Sequence, residues 1–385
     1  MNLKYSVGLD VSSKKIDACI SVIDQRQRVI VKSSKKILNT KTGFEDLVVW
    51  ILKHQKDSIP VVICMEATGI YHENCAYFLY EKGFTVSIIL PNKAKKYLDC
   101  LGLKSKNDSI DAKGLSQMGA EQCLEAWEPI GVFFYELRLL TRQRQNLTEL
   151  KTIIKNQLDA LSHAMHQLVS VTAQLKENIS LFESQIKELD KAILEHIASD
   201  KEVLEKVKNI CTIKGLGILT TAVILAETNG FTLFNNYKQV VSYAGFDVVE
   251  AQSGTRVGKT KISKRGNSRI RRALYMPSLV VIQCEVQQFK DLYDRTYKKH
   301  GIKMKSYVAV QKKLLTMIYY LWNKNEAYDP NYKVKFQEEE QELYSLFAFE
   351  KGIKSSPNKI EATQGKLPVN DPVCFLSVKT KIMKN

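Results

Sequence analysis

Gly8-Leu9-Asp10-Val11-Ser12 sets a carboxylate at the end of a short apolar run, and Cys64-Met65-Glu66-Ala67-Thr68-Gly69 repeats the device further along the chain. Residues 5–11 have the composition of a strand. Val61-Val62-Ile63-Cys64-Met65 is continuously apolar, as a strand buried on both faces requires. Working outward, residues 16–23 and 28–32 read as second and third strands joined by tight polar turns. Phe44, Leu47, Val48, Ile51 and Leu52 recur at helical spacing within residues 40–54. A helix over 71–82 and a strand over 85–90, stopped by Pro91, come next. A basic segment with Lys93, Lys95 and Lys96 then leads into a helix starting near Asp108. The order is three strands, helix, strand, helix, strand, helix.

The last of these helices opens with Asn107-Asp108-Ser109-Ile110-Asp111-Ala112, where Asp108 and Asp111 share a face. Carboxylates at the strand ends of an open sheet sit where ligands bind. In this strand order the first and fourth strands are neighbours and the last helix crosses their ends, which gathers Asp10, Glu66, Asp108 and Asp111. Like charges do not cluster without a counter-ion, and oxygen ligands suit the hard cations Mg²⁺ or Mn²⁺. Two such ions can stabilise the attacking and leaving oxygens of a phosphodiester. Taken singly, each carboxylate reads equally as a surface charge or a cap, Asp108 in particular as a helix N-cap.

Fifty-seven Lys and Arg against 41 Asp and Glu give a net charge of +16, which favours a polyanionic partner or, more plainly, a basic solubility surface. The charge is uneven. No acid occurs from Ala251 to Cys284, while Arg256, Lys259, Lys261, Lys264, Arg265, Arg269, Arg271 and Arg272 crowd one stretch that suits phosphates. Within it, Gln252-Ser253-Gly254-Thr255-Arg256-Val257-Gly258 is a loop bracketed by glycines. A serine hydroxyl can attack a phosphodiester when cations stabilise the transition state. Ser253, Thr255, Ser263 and Ser268 all qualify, and a basic loop that merely grips DNA fits as well.

Between Gly131 and Gly215 there is neither Gly nor Pro, and Leu147, Leu150, Ile154, Leu158, Leu161, Met165 and Leu168 begin a heptad-like series that runs to Ile197. Such a pattern predicts a long helix or hairpin packed as a coiled coil from about Glu136 to Ile197, which holds subunits together. His163 and His166 fall on one face of it as a solvated pair. Ser199 to Glu202 has capping-box spacing. Ile213-Lys214-Gly215-Leu216-Gly217 resembles a helix-hairpin-helix turn, a form that holds a phosphate in some proteins and nothing in others. The eight Cys include no CxxC pair, so Cys19, Cys64 and Cys284 read as reduced core residues. No apolar stretch approaches the ~18 residues of a membrane helix, and the start of the chain carries no signal-like segment, so the expected location is the cytoplasm.

These blocks, with Tyr243-Ala244-Gly245-Phe246, Ile262-Ser263-Lys264-Arg265-Gly266-Asn267 and Arg271-Arg272-Ala273-Leu274, resemble the IS-one-ten family of bacterial insertion-sequence transposases, related to the Piv pilin-gene invertases. The resemblance spans roughly residues 3–325. It implies an α/β plus α architecture. A ribonuclease H-like (RuvC-like) metal domain would occupy residues 1–125 and coiled-coil helices 126–205. A small, mainly helical serine domain would occupy 206–329. The tail over 330–385 runs past the family core and reads, from its polar and irregular composition, as a poorly ordered extension. The resemblance further implies that Asp10, Glu66, Asp108 and Asp111 are metal ligands and that Ser253 is the nucleophile forming a phosphoserine link to DNA. A non-coding bridge RNA would guide donor and target DNA, with composite active sites in a homo-oligomer, dimer or tetramer. Lys214 stands where the family has Pro. Other functions consistent with the residues are a Piv-like invertase acting on fixed sites, a junction nuclease activating water without serine chemistry, and a non-catalytic RNA-binding protein.

Overall fold

The computed structural model describes residues 2–55, 59–67, 69–102, 107–250, 252–258 and 260–331. The chain falls into two compact units, the first ending at Gly131 and the second starting at Val132.

The first unit is built from β1 (Asn2–Val11), β2 (Lys15–Asp24), β3 (Val29–Leu38), α1 (Lys41–His54), β4 (Val61–Glu66), α2 (Glu73–Glu81), β5 (Thr85–Ile89), α3 (Pro91–Cys100) and α4 (Asp108–Glu121). Its sheet has the order β3-β2-β1-β4-β5, antiparallel across β1–β2 and β2–β3 and parallel across β1–β4 and β4–β5. β1 and β4 are therefore neighbours, as the sequence pattern predicts. Alternation along the strands gives the sheet two unlike faces. Tyr5, Val7, Leu9 and Val11 join Ile63 and Met65 in a core closed by Phe44, Leu47 and Ile51 of α1 and Ala76 and Leu79 of α2.

The other face is lined by small residues. Gly8 lies opposite Cys19 and Cys64, and Ser6 lies opposite Ser21. That face accepts α4. The Ser21 and Ser116 hydroxyls hydrogen-bond at 2.7 Å. A Cβ at Gly8 would collide with the backbone of Ala112 and Ser116. Only glycine there lets α4 come down onto β1, and this close seating carries Asp108 and Asp111 to the end of β1.

Three local expectations are corrected. The third strand runs on to Leu38, because β3 is an edge strand whose largely exposed residues carry no apolar signal. The basic segment after Pro91 is itself the helix α3, with Pro91 at its first position and Ala94 as its buried residue. The cap of α4 is Asn107, whose side chain accepts from the Ile110 amide at 2.9 Å, so Asp108 is left free of capping duty.

The second unit contains α5 (Val132–Ser162), α6 (Val169–Ser199), α7 (Lys201–Cys211), α8 (Ile218–Thr228), α9 (Tyr237–Tyr243), the two-residue strands β6 (Val248–Val249), β7 (Gln252–Ser253), β8 (Arg256–Val257) and β9 (Lys261–Ile262), then α10 (Ser268–Ala273), α11 (Tyr275–Gln283), α12 (Gln287–His300) and α13 (Lys303–Lys324). α5 and α6 fold back on each other as a hairpin, tied by Arg144–Asp190 and by Lys151–Glu183 at 3.6 Å. The heptad-like series thus turns at residues 163–168. Met165 is 93% exposed there, and His163 and His166 lie in the turn and share no helix face. The inner ends of the hairpin belong to the same core as the helices that follow. Leu137, Ile193 and Ile197 pack with Val207, Ile210, Leu225, Phe246, Ile270 and Leu314.

α7 is capped by Asp200, which accepts from the amides of Glu202 and Val203. Ser199, the cap the spacing suggested, donates to the His196 carbonyl instead. Cys284, expected in the core, is exposed at the end of α11. The expected extension falls, from residue 332 on, outside the described residues. Among the described residues no helix is long and apolar enough to cross a membrane.

Candidate active site

Asp10 is the penultimate residue of β1 and Glu66 the last of β4. Leu9 is paired with Met65, so the two carboxylates occupy adjacent strand ends, and both lie on the face covered by α4. Asp108 and Asp111 enter from the first turn of α4. Burial, and then the charges of Asp108, Asp111, Glu66 and Asp17, push the Asp10 carboxyl up to about 6. The charges of the three other motif carboxylates thus reach Asp10. The fifth, Asp17, was not anticipated. It faces Asp10 across β1–β2, is buried to 4% exposure, and pairs with Lys36 at 3.3 Å.

The donor set fits a hard divalent cation in kind, since all four side chains are carboxylates, and in place, since Asp108, Asp111 and Glu66 help to raise the Asp10 carboxyl. Among the described residues, however, no three acid, His or Cys side chains are gathered closely enough to hold an ion.

Ser253 sits on a β-arm of the second unit. β6 pairs with β9 at its base, and β7 with β8 at its tip, where Ser253 lies opposite Arg256. Gly254 takes the first central position of the turn at φ +54°, the conformation that a type II′ hairpin assigns to glycine. A Cβ there would meet nothing, so the glycine serves the backbone angle. Ser253 is exposed. Of its competitors, Thr255 and Ser268 are also exposed, while the Ser263 hydroxyl accepts from the Arg265 amide at 3.3 Å.

The base of the arm is locked by backbone. The Ser263 amide donates to the Asp247 carbonyl at 2.7 Å and the Lys264 amide to the Gly245 carbonyl at 3.1 Å. Gly266 presses directly on Tyr243 and Gly245, where any Cβ would clash with main chain.

The basic residues divide into two groups. Lys261, Lys264 and Arg265 are exposed around the base of the arm, Arg256 is placed by its backbone opposite Ser253, and Lys259 lies outside the described residues. Arg269, Arg271 and Arg272 have partners within the protein. Arg271 donates to the carbonyls of Ala244 at 2.8 Å and Gly266 at 3.2 Å, so it clamps the crossing of the two motif turns. Arg272 pairs with Glu149 of α5, and Arg269 lies 4.0 Å from Glu227.

Glu227 is a functional-region residue the sequence reading missed. Its side chain is 1% exposed on α8. It accepts two bonds from Arg142 of α5, at 2.8 and 2.9 Å, and one at 2.7 Å from Asn267, the cap of α10. Burial opposes its ionisation, but hydrogen bonds and charge from Arg142, with Asn267 and Arg138, hold its carboxyl below the usual range. A depressed carboxyl contributes stability at neutral pH that is lost on acidification through the folded-state value. Glu227→Ala removes the buried acceptor of the half-exposed Arg142 guanidinium and of the Asn267 amide, so the expected cost is about 1–3 kcal/mol, read by chemical denaturation. An acid directly after the largely apolar run Ile218–Ala226 was the available signal. The turn between α7 and α8 has Gly215 at φ +93° packed against Val280, with Lys214 exposed beside it.

Two family models match in order. A DEDD transposase model of the IS110 group covers residues 7–167, and the model described as Transposase IS116/IS110/IS902 family covers residues 207–294. The pilin gene-inverting protein of Moraxella bovis is 27% identical, over 85% of this chain and 98% of that one. A probable family 20 transposase of Pseudomonas aeruginosa is 20% identical, over 74% and 86%, and a transposase for insertion sequence element IS1111A of Coxiella burnetii is 21% identical, over 55% and 63%. The overlap with the solved Thermus thermophilus RuvC is slight, with a TM-score of 0.26 at 12% identity over 32% of this chain and 99% of that one. With both domains of one family in succession, carboxylate blocks in the first and the serine-bearing block in the second, the chain belongs to the IS110 family of transposases, enzymes of DNA recombination.

Proposed function

We propose that the protein cuts and rejoins donor and target DNA of an insertion sequence through a covalent phosphoserine intermediate at Ser253. In this reading Asp10, Glu66, Asp108 and Asp111 of a ribonuclease H-like unit hold Mg²⁺ or Mn²⁺. The observation that carries it is the convergence of four carboxylates at one end of a sheet, in a chain whose second unit offers an exposed serine on a basic arm, within a stretch free of acids from Ala251 to Cys284. Once bound, the ion would polarise the scissile phosphate and stabilise the leaving oxygen. The chain's own residues do the rest. Ser253 supplies the nucleophile, and Arg256, Lys259, Lys261, Lys264 and Arg265 hold flanking phosphates. Arg269, Arg271 and Arg272 contribute charge and keep the arm's base rigid.

A bridge RNA pairing with both DNAs is the proposed guide, and its test is direct. RNA from the element's own non-coding flank should co-purify with the protein expressed from its native locus. The 27% identity to the pilin gene-inverting protein favours one second reading, an invertase acting on fixed sites without RNA. Recombination by the RNA-free protein would decide for it.

Assembly into a dimer or tetramer is proposed through the hairpin α5–α6. Leu150, Ile153 and Leu181 leave apolar side chains exposed on its flanks. Charged replacement of Ile153 and Leu181 together should shift sedimentation towards monomer. An unchanged oligomer would mean that the hairpin packs only within its own chain.

A further inference from the structure

Asp10, Asp17 and Lys36 form a single rung across three strands. Asp10 is paired with Asp17 in the β1–β2 register, and Asp17 with Lys36 in the β2–β3 register. Directly opposed residues project to the same face of a sheet, so the rung extends the row begun by Glu66 and Asp10. Its far end is a cation. The Lys36 ammonium lies 3.3 Å from the Asp17 carboxylate, and its side chain is 68% exposed against 5% for Asp17. Lys35, next in sequence, donates to the Asp46 carbonyl of α1 at 3.4 Å, on the opposite face. Of the two lysines, Lys36 alone is aimed along the carboxylate row.

Beside the pair is a cavity of about 150 Å³, with Asp17, Ser34, Lys36 and Ser109 in its lining. Ser109 stands in the first turn of α4 between Asp108 and Asp111. The cavity therefore connects the Asp17–Lys36 pair to the helix turn that supplies half of the carboxylate cluster.

We propose that Asp17 is a positioning residue that holds Lys36 to take a phosphate of the nucleic-acid strand beside the carboxylate cluster. A buried carboxylate needs a partner, and here the partner is a long, exposed cation whose free face remains open to solvent. Lys36 starts two strand spacings from Asp10, about 10 Å. A strand whose scissile phosphate lies at the carboxylates would pass a neighbouring phosphate within that reach. The inference rests on the reading of the carboxylates as the cutting centre.

The test uses the full-length protein and labelled duplex DNA of the sequence flanking the gene, with binding followed by anisotropy across salt concentrations. Lys36→Met should reduce the slope of log K against log salt by about 1, the loss of one phosphate contact. It should leave Mn²⁺ binding, read by electron paramagnetic resonance, unchanged. Asp17→Asn should lower the slope in the same way and weaken binding, although it removes a negative charge. Charge removal without positioning would tighten binding instead. The double variant should match Lys36→Met alone, and Lys36→Arg should restore the slope. A Lys36→Met protein with the wild-type slope overturns the proposal, as does an Asp17→Asn protein that binds more tightly. Failure of the underlying reading is seen separately, as undiminished Mn²⁺ binding and cutting by Asp10→Asn.

Discussion

Ser253→Ala is expected to abolish the covalent protein–DNA adduct and to slow strand cleavage by about 10⁴-fold or more, the scale on which removal of a nucleophile is felt. The serine stands at the tip of a β-arm, exposed and opposite Arg256, in a segment without a single acid from Ala251 to Cys284. In the step proposed, an Oγ–phosphorus bond forms as the bond from phosphorus to a deoxyribose oxygen breaks, and the proton lost by the serine hydroxyl is balanced by the one that the leaving oxygen takes up from solvent. The phosphoserine ester conserves the bond energy, so rejoining needs no external nucleotide, which suits recombination better than hydrolysis does. The measurement is a suicide DNA substrate followed by mapping of the modified peptide. The adduct should fall on Ser253 and be missing from Ser253→Ala and Glu66→Ala. Cleavage that survives in Ser253→Ala would identify a water-activating nuclease. An adduct on Ser263 would move the chemistry to the base of the arm, where that hydroxyl already accepts from the Arg265 amide.

The parts of this arrangement that were legible in the sequence are those written in burial. β1 and β4 are apolar because they lie between layers, so their ends, and with them Asp10 and Glu66, could be located. The helical spacing of Asp108 and Asp111 gave the third block. β3 was half lost because an edge strand exposes most of its residues, and α3 because a helix burying little more than Ala94 looks like a basic linker. Asp17 was hidden for another reason. In Ile16-Asp17-Ala18 it reads as one polar step in a strand, and only the register reveals that it faces Asp10.

The arginines show the limit of charge counting. Eight basic residues in one stretch do indicate a phosphate surface, yet nothing in their order says which are free. Arg271 serves the carbonyls of Ala244 and Gly266, and Arg272 serves Glu149, a residue more than a hundred positions away. Gly8 and Gly266 were equally opaque, because the need for a bare Cα comes from the backbone that presses on them. Long-range partners of this kind fix how the site is held, and a single sequence records them only as isolated letters.

Asp10→Asn is expected to slow strand cleavage by about 10³-fold or more and at the same time to make the metal-free protein more stable. The two effects share one cause. With Asp10 raised to about 6 by burial and by Asp108, Asp111, Glu66 and Asp17, the folded protein binds a proton more readily than the unfolded chain does. A raised carboxyl of this kind works against the fold above about pH 6, and its penalty fades as pH falls towards the unfolded value. Replacing Asp10 by Asn lifts the penalty, on the order of 1 kcal/mol once solvent screening is allowed for. That corresponds to a rise in Tm of about 2–4 °C at neutral pH in EDTA. The gain should vanish near pH 4, where the wild-type carboxyl is already protonated. Added Mg²⁺ or Mn²⁺ should raise the Tm of the wild type and do less for the variant, because binding to the folded state alone stabilises it by mass action. A structural carboxylate predicts the reverse, a variant that melts earlier at every pH and responds to metal like the wild type. Melting curves of the two proteins, with and without EDTA at two pH values, separate a crowded ligand set from an ordinary buried acid before any DNA is cut.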